Sequence, residues 1–456
     1  MEKERSRDQK RMKNLRDMAQ GLENLLEKDS DKDIRDFLRQ IEPEDVAEML
    51  GEFSNDDKLR IFNLLDAENA AVVLDDTDSE TRSQILQKVN SDRLAGVFDR
   101  MPADEAADII EEVSKKERED LLDLMKEEDA EEIEELLSYP EDSAGRVMNP
   151  EFVYVREDGD VEDAIGHIRG LKTDEEFLYV YVVAEAMKFR GVVPIRKLLT
   201  SPKGTLIKDI MENSIGPVSG KEDQEKVALI MKKYDFFSLP VVDDKNRLVG
   251  RITIDDIIDV VDEERGEDIS RMTGTIEEEQ GTETTLKATR NRLPWLVTCM
   301  LGSIVTGLVI RMFEITLAET IALVSFIPVI TATGGNSGVQ ASTVVVREMA
   351  LGHMRHVRVF EEVWRQLKIA LGLGIVCAGV LTILANLWMK NSLVGMIVGL
   401  SLFLVVVWSN FVGVVTPVLF KKIRIDPAIA SGPLITTLND VIGVFIYLSI
   451  ASSFLR

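Results

Sequence analysis

Near the end of the chain, one carboxylate lies inside an apolar segment. The stretch PLITTLNDVIGVFIYLSI, residues 433–450, contains Asp440 as its only charged residue. An ionised aspartate in hydrocarbon costs about 3 kcal/mol or more, so such residues usually face a bundle interior or an aqueous path. Three interpretations remain open: a protonated structural acid, an acid in a polar cavity, or an acid whose partner is a cation in transit. We favour the third, because no lysine or arginine within the apolar segments can neutralise Asp440.

Five apolar segments position this side chain. They cover residues 294–313, 316–345, 367–389, 392–420 and 427–455, and each is near or above the roughly 20 residues that a helix needs to cross hydrocarbon. Basic residues concentrate after the second and fourth segments, so the positive-inside rule predicts a cytosolic N-terminus and an external C-terminus. Glu319 then lies near the outer end of the second segment, as a vestibule charge at most. We expect a multi-pass protein of the cell membrane, surrounded by lipid.

The second segment contains PVITATGGNSGVQAS, residues 328–342, with one proline and three glycines. These residues discourage a regular helix, and irregular backbone at membrane depth is tolerated only where protein or a water-filled cavity surrounds it. We predict a break in the helix here. The alternative is close helix packing through small residues.

The charge of the chain is strongly asymmetric. Of its 80 Asp and Glu residues only 7 follow residue 293, as do 11 of its 54 Lys and Arg residues, so residues 1–293 carry a net charge of −30. An acidic surface of this size repels nucleic acid and attracts cations, so we expect no nucleic-acid partner. The start of the chain is charged and lacks the apolar region of a signal peptide.

The acidic part has two predicted domains. Residues 1–139 repeat short elements such as PEDVAEML and PADEAADII, with an acidic start and an apolar end, which predicts short helices stacked into a superhelix. Residues 140–262 contain a duplicated strand–turn–strand–helix unit, in which Val182 and Gly191 recur as Val241 and Gly250. Residues 263–292 change from acidic to basic, and we interpret them as a helix that connects to the membrane domain, residues 293–456.

The duplicated unit resembles a cystathionine-β-synthase (CBS) domain pair. Adenosine-binding members of that family carry T/S-x-x-D after the last strand, and Thr253 and Asp256 fit this signature in the second repeat. The first repeat departs from it, with Pro194 and Lys197 in the equivalent places. The resemblance implies at most one nucleotide site, with ATP as a possible ligand. The alternative is that these two residues only cap the helix that begins IDDIID.

SAGRVM at 143–148, the CBS pair, the acidic connecting segment, TGGNSGVQAS, IDPAIASGP and NDVIG together resemble the MgtE family of magnesium channels. The resemblance covers nearly the whole chain. It implies a homodimeric, multi-domain membrane protein with a helical N domain, an α/β CBS pair, a connecting (plug) helix and a five-helix transmembrane domain. The ion path of the family runs between the second and fifth spans, and Asp440 matches its selectivity residue. Oxygens around Asn336 and Thr437 are the further pore candidates, while Val339 departs from the family's asparagine.

The resemblance also implies regulation, because members of the family close when cytosolic Mg²⁺ binds between the N domain, the CBS pair and the plug helix. Carried over by position, the ligand candidates are Asp104, Asp108, Asp223, Glu225, Asp235, Asp256, Asp259, Glu264, Glu267, Asp268 and Asp426. The implied function is Mg²⁺ influx through a channel that cytosolic Mg²⁺ closes.

Two other classes of function stay open. A secondary transporter that couples divalent-cation movement to another ion also suits a broken helix and a lone intramembrane acid. A membrane-anchored sensor needs no such acid, so Asp440 argues against it. We expect no enzyme, since the sequence shows no nucleophile–base pattern, phosphate loop or zinc spacing.

Overall fold

The computed structural model describes residues 2–171, 177–275, 285–351, 358–430 and 432–455, without the side chains of residues 2–10, 287 and 358. The chain forms two compact units. The first comprises Met1–Asp262, and the second begins at Glu263.

Short helices make up the start of the first unit, as the repeated elements predict. They are α1 (Glu2–Glu27), α2 (Asp31–Leu38), α3 (Pro43–Leu50), α4 (Asn55–Leu64), α5 (Ala67–Asp76), α6 (Ser79–Lys88), α7 (Ser91–Phe98), α8 (Ala103–Glu111), α9 (Lys115–Leu122) and α10 (Glu127–Leu137). Several of these helices begin with a side-chain cap: Ser54, Asp66 and Asp78, for example, accept a hydrogen bond from the backbone N–H three residues on. Helices α3, α8 and α10 begin without one. The apolar ends form one buried core.

The duplicated unit folds as two three-stranded sheets with the same topology. The strands are β1 (Tyr154–Arg156), β2 (Tyr179–Val183), β3 (Phe189–Pro194), β4 (Val218–Ser219), β5 (Ser238–Val242) and β6 (Leu248–Thr253); the helices are α11 (Val161–Gly170), α12 (Ile195–Thr200), α13 (Ile207–Ile210) and α14 (Gln224–Tyr234). In each sheet the central strand pairs with a parallel and an antiparallel neighbour. Val182 lies opposite Gly191 and Val241 opposite Gly250, so the repeat seen in the sequence is also a repeat of strand register.

Helix α15 (Ile254–Thr273) follows β6 directly, so the helix begins before the expected start of the connecting segment at residue 263. No proline interrupts this stretch, and nothing else in it requires a break. Gly274 follows the last residue of the helix with a φ of 76°, a left-handed conformation that commonly ends helices. The N–H groups of Gly274 and Thr275 donate to the carbonyls of Arg271 and Ser270. Residues 276–284, in the middle of the predicted connecting helix, lie outside the described residues.

Among the residues that the structure describes, the second unit contains five helical segments that are long and apolar enough to cross a membrane, which agrees with the predicted number. These candidate spans are Ala288–Met312, Ile321–Ala350, Val359–Met389, Ser392–Lys422 and Pro427–Leu455. They are built from α16 (Thr285–Met312), α17 (Glu314–Glu319), α18 (Ile327–Ala350), α19 (Arg358–Met389), α20 (Ser392–Lys422) and α21 (Gly432–Leu455), with 3₁₀ turns at Ile321–Phe326 and Pro427–Ala430. Cys299 and Cys377 are free thiols.

The predicted break within the second span is wrong. Helix α18 is continuous through all three glycines, and Pro328 occupies its first turn, where a missing N–H costs nothing. The interruption lies earlier, at Thr320, between α17 and the 3₁₀ turn. The glycines serve close packing instead. A Cβ added to Gly334 would lie 2.6 Å from Val405 Cγ1, and one added to Gly338 would lie 2.2 Å from Asn439 Nδ2.

Candidate functional site

Asp440 lies in the third turn of α21 and faces α18. A Cβ added to Gly335 would be 3.9 Å from Asp440 Oδ1 and 3.2 Å from Thr436 Cγ2, so the second and fifth spans approach closely at this carboxylate. Asp440 is partly buried, and no ion pair with it is found among the described residues. The structure thus brings the lone acid against the glycine-rich segment that the sequence singled out.

The other two pore candidates lie differently. Asn336 directly follows Gly335 on α18, and its side chain is exposed in the single chain. Thr437 faces the first span instead, because a Cβ added to Gly302 would lie 1.9 Å from Thr437 Cγ2. The three side chains therefore do not converge on one point within one chain. Asp440 and Asn336 lie on the two helices that pack together here, α21 and α18.

Acidic side chains also gather inside the first unit. Asp104, in the first turn of α8, is only 7% exposed, and its Oδ1 has no hydrogen-bond partner among the described residues. Burial, reinforced by the nearby Asp256 carboxylate, raises the pKa of Asp104 to about 8. Burial likewise raises the pKa of Asp256 to about 6, and burial followed by repulsion from Asp255 raises that of Asp259. Burial thus disfavours the charged form of each of these three carboxyl groups.

Sequence reasoning missed three members of this cluster: Asp75, Asp76 and Glu105. Burial, with repulsion from Asp75 and Asp104, raises the pKa of Glu105 to about 9, and burial raises that of Asp75 to about 6. Asp75 and Asp76 are the last two residues of α5, where the helix dipole disfavours negative charge. Two carboxylates at a helix C-terminus are unfavourable for the helix itself, and this feature could have marked Asp75 and Asp76 as candidates from the sequence. We call Asp75, Asp76, Asp104, Glu105, Asp256 and Asp259 the acidic cluster.

Asp108 already has a cationic partner. The buried guanidinium of Arg146 lies 3.4 Å from Asp108 and 2.5 Å from Glu111, and it also donates to the carbonyl of Ala107. Arg146 belongs to the SAGRVM motif, which thereby ties α8 to the start of the CBS pair. A cation that bound Asp108 would have to share it with this arginine.

Three further candidates lie in or next to α14 rather than in the acidic cluster: Asp223, Glu225 and Asp235. Asp223 is the N-cap of the helix, and Asp235 is its C-cap with a φ of 54°. A helix rises about 1.5 Å per residue, so roughly 18 Å separates the two along the axis. They cannot be ligands of one ion. Glu225 lies in the first turn, where its charge suits the helix dipole.

In the second unit, the remaining candidates surround Arg271. Its guanidinium forms ion pairs with Glu267, one turn earlier on α15, and with Asp426, at the start of the fifth span. Burial, together with Asp426 and Glu264, raises the pKa of Asp268 to about 6. Asp426 also accepts a hydrogen bond of 2.8 Å from the backbone N–H of Ala428. The end of α15 is therefore held at the entrance of α21.

Two glycines allow this close approach. A Cβ on Gly274 would lie 3.2 Å from Trp295 and 3.3 Å from Pro433, and one on Gly432 would lie 2.2 Å from the carbonyl oxygen of Met272. Both glycines have positive φ, which residues with a side chain rarely adopt.

The carboxylates are not arranged as a finished metal centre. Within the described ranges, no three His, Cys, Asp or Glu side chains are placed to hold one ion together. Carboxylate oxygens are nevertheless the ligands that Mg²⁺ prefers, and this ion keeps several of its waters. The buried, unpartnered Oδ1 of Asp104 fits such a ligand.

The predicted nucleotide residues bond to each other. Thr253 donates to Asp256 Oδ2 from its backbone N–H, at 2.7 Å, and from its hydroxyl, at 2.8 Å. This is the capping arrangement of a helix N-terminus, with Asp256 as the third helical residue. The capping alternative is therefore present in the structure.

Comparison with known proteins gives a consistent result along the chain. The family described as MgtE, divalent cation transporter, matches residues 327–450. The MgtE intracellular N domain matches residues 41–142, and CBS domains match residues 144–204 and 207–263.

Relatives of similar length support the same assignment. The chain is 34% identical over 322 residues to the magnesium transporter MgtE of Bacillus subtilis, which covers 70% of this chain and 71% of that protein. It is 37% identical over 324 residues to the magnesium transporter MgtE of Thermus thermophilus, with 69% and 71% covered. A crystal structure of the cytosolic domain of the Mg²⁺ channel MgtE in complex with ATP covers 53% of this chain and 99% of its own, at 33% identity and a TM-score of 0.51.

Proposed function

This chain belongs to the MgtE family of magnesium transporters, and from that premise we propose that it is a Mg²⁺-selective channel that cytosolic Mg²⁺ closes. Influx follows the path between the second and fifth spans. The N-terminus and both regulatory regions are cytosolic, and the C-terminus is outside. The single observation that carries the proposal is Asp440, an intramembrane acid set against Gly335 without an ion-pair partner among the described residues.

Selectivity follows from pairing Asp440 with its copy in a homodimer. A two-fold axis beside α18 and α21 places two carboxylates opposite each other, which favours a divalent cation between them. Mg²⁺ dehydrates reluctantly, so the hydrated ion is recognised through its waters. The exposed amide of Asn336 and the backbone oxygens around Thr437 are suited to those waters. The packing of the Thr437 methyl group on Gly302 leaves its side chain a structural role.

Regulation is assigned to two sets of carboxylates. The acidic cluster, together with Asp108, Asp223, Glu225 and Asp235, provides hard oxygen ligands in the first unit. Glu264, Glu267, Asp268 and Asp426 provide them in the second unit. Without bound cations, the carboxylates within each set repel one another, which disfavours the compact, closed state. Mg²⁺ that binds the closed state more tightly than the open state therefore shifts the equilibrium towards closure.

ATP binding at the CBS pair is a separate proposal. It rests on the relative whose cytosolic domain was crystallised with ATP and on the fit of Thr253 and Asp256 to the nucleotide signature. Isothermal titration of the full-length protein with ATP tests it, and Asp256→Asn should weaken any binding that is found.

Flux measurements test the central proposal. We expect liposomes that contain the purified protein, with its cytosolic side facing the lumen, to take up Mg²⁺. The rate of uptake should fall as the Mg²⁺ concentration in the lumen rises. Asp440→Asn, which keeps the side-chain shape but removes the charge, should lower uptake at least tenfold. The matched control is Glu319→Gln, a carboxylate in the same unit near the end of a span, which should retain uptake.

The same experiment separates a channel from a coupled transporter. Mg²⁺ currents that follow the Mg²⁺ gradient alone, without a proton or sodium gradient, support the channel. Uptake that requires either gradient would contradict it, and full activity of Asp440→Asn would contradict the proposed ion path.

A further inference from the structure

Asn439, the residue before Asp440, is the most deeply buried amide of the fifth span. It is 1% exposed, and neither its Oδ1 nor its Nδ2 has a hydrogen-bond partner among the described residues. A buried amide is normally satisfied by protein or by an ordered water. Asn439 therefore calls for an explanation that neither the family resemblance nor the proposed function supplies.

The surroundings of Asn439 are polar on one side. A Cβ on Gly338 of α18 would lie 2.2 Å from Asn439 Nδ2 and 3.1 Å from the carbonyl oxygen of Ser409 on α20. The hydroxyl of Ser409 lies one turn away along α18, 3.3 Å from the Cβ position of Gly334, and it too is buried without a partner within the described part of the chain. Three unpartnered polar atoms thus lie where α18, α20 and α21 meet. Glycine at 338 leaves the amide room to reach this point.

A second polar contact closes the same junction. Asn410, next to Ser409, donates from Nδ2 to the hydroxyl of Ser337 on α18 and to the carbonyl of Val406. We call Ser337, Ser409, Asn410 and Asn439 the polar junction. Two of its members come from α20, and α18 and α21 contribute one each, so it links all three helices.

We propose that Asn439 is a positioning residue for Asp440: with Ser409 it holds a buried water in the polar junction, and this fixes the rotation of α21. A buried water needs two to four polar partners, and Oδ1, Nδ2 and the Ser409 hydroxyl supply three. Successive residues lie about 100° apart around a helix of 3.6 residues per turn, so anchoring Asn439 also sets the direction of Asp440. Apolar packing between helices in lipid specifies rotation poorly, because lipid is as apolar as the neighbouring helix.

This inference rests on the proposed function, since the positioned carboxylate is the one assigned to the ion path. Asn439→Leu replaces the amide by an apolar side chain with the same branching and the same number of heavy atoms. In liposomes it should raise the Mg²⁺ concentration for half-maximal uptake about tenfold and lower the preference for Mg²⁺ over Ca²⁺. Asn439→Ser, which can still bond a water, should stay within about twofold of the parent on both measures. Ser409→Ala should change both in the direction of Asn439→Leu, by about threefold.

Ser401→Ala is the matched control. Ser401 is a fully buried serine on the same helix as Ser409, but its hydroxyl is satisfied by the carbonyl of Ile397 at 2.7 Å. Its half-maximal concentration and cation preference should equal those of the parent.

Thermal unfolding in detergent accompanies each variant. Folded Asn439→Leu with parental half-maximal concentration and cation preference would overturn the inference. If that variant does not fold, Ser409→Ala decides: parental values overturn the inference, and a raised concentration supports it. Uptake that is independent of Asp440 would refute the proposed function and this inference with it, whereas Asp440-dependent uptake that ignores the polar junction refutes the inference alone.

Discussion

The carboxylates of the acidic cluster are unusually ready to take up protons. Asp104 and Glu105 are buried beside other acids, and their pKa values rise to about 8 and about 9. A charged carboxylate in this place costs free energy unless a proton or a metal ion neutralises it. If the cluster binds Mg²⁺ as proposed, its charge depends on both the pH and the concentration of divalent cation.

This gives a prediction for pH. Between the ordinary pKa values near 4 and the raised values near 8 and 9, the folded state binds more protons than the unfolded state, so its stability falls as pH rises. With EDTA present, the melting temperature of the cytosolic unit should fall between pH 6 and pH 9. Thermal scanning of the full-length protein at constant ionic strength measures it.

The control for the pH prediction is Asp104→Asn, which removes one titrating group without changing its size. It should flatten the fall and raise the melting temperature at pH 9 without Mg²⁺. A melting temperature that rises from pH 6 to pH 9 in EDTA would show that these acids are not held protonated in the folded state.

At the scale of single residues, Asp440 could be predicted because it is the only charge in a long apolar segment, a fact of sequence alone. Glu105 and Asp75 could not be singled out in the same way, because only the packing of α5 near α8 brings their charges together. The direction in which the Thr437 side chain points could not be predicted from the sequence either, because it depends on helix packing. Its contact is Gly302, which lies more than a hundred positions away in sequence.

At the scale of elements, the glycines of α18 mark a packing surface rather than a break. Their spacing in sequence is compatible with both, and only the contacts with Val405 and Asn439 decide between them. The strand repeat was more informative, because its two copies support each other. The recurrence of Val182 and Gly191 as Val241 and Gly250 predicted a duplicated unit, and the structure adds that these residues pair with each other in each sheet.

The packing surface gives a prediction for Gly338. Gly338→Ala puts a methyl group into space taken by the Asn439 amide, and overpacking of this kind costs about 1–3 kcal/mol of folding free energy. Gly372→Ala on α19 is the control, since a Cβ there meets nothing within 4 Å and alanine is the better helix former by about 1 kcal/mol. Unfolding in detergent should show loss of stability for the first variant alone. Equal stabilities would contradict the packing role.

The ion pairs of Arg271 give a prediction for the end of α15. Arg271→Gln removes the cation between Glu267 and Asp426, so more Mg²⁺ should be needed to hold α15 against the fifth span. Partly exposed ion pairs contribute about 0.2–1 kcal/mol each, so losing two of them should raise the luminal Mg²⁺ concentration that halves uptake about two- to thirtyfold. Arg39→Gln, whose arginine pairs only with Asp36 at 3.9 Å among the described residues, is the control. An unchanged or lower concentration for Arg271→Gln would argue that the arginine competes with Mg²⁺ instead.

At the scale of the whole molecule, charge is divided between the two regions of the chain. The net charge of −30 over residues 1–293 favours an open, expanded arrangement unless cations offset it. Monovalent salt acts by screening over a Debye length of about 10 Å at 0.1 M, whereas a divalent ion can bind between carboxylates.

Removal of Mg²⁺ should therefore loosen the cytosolic unit. Limited proteolysis of the full-length protein should be faster in EDTA than in Mg²⁺, with the added cuts between residues 1 and 275. KCl at the ionic strength of the Mg²⁺ sample should protect much less. Equal protection by the two salts would reduce the effect to screening and contradict specific binding.

Helix α15 passes from the last strand of the CBS pair to the ion pairs at Asp426 as one uninterrupted piece of about 30 Å, given its 20 residues. Within the second unit, Glu267 and Asp268 lie less than two turns from the end of this helix, beside Arg271 and its partner Asp426. A cation that bound there would therefore act on the same few side chains that join the end of α15 to the start of the fifth span.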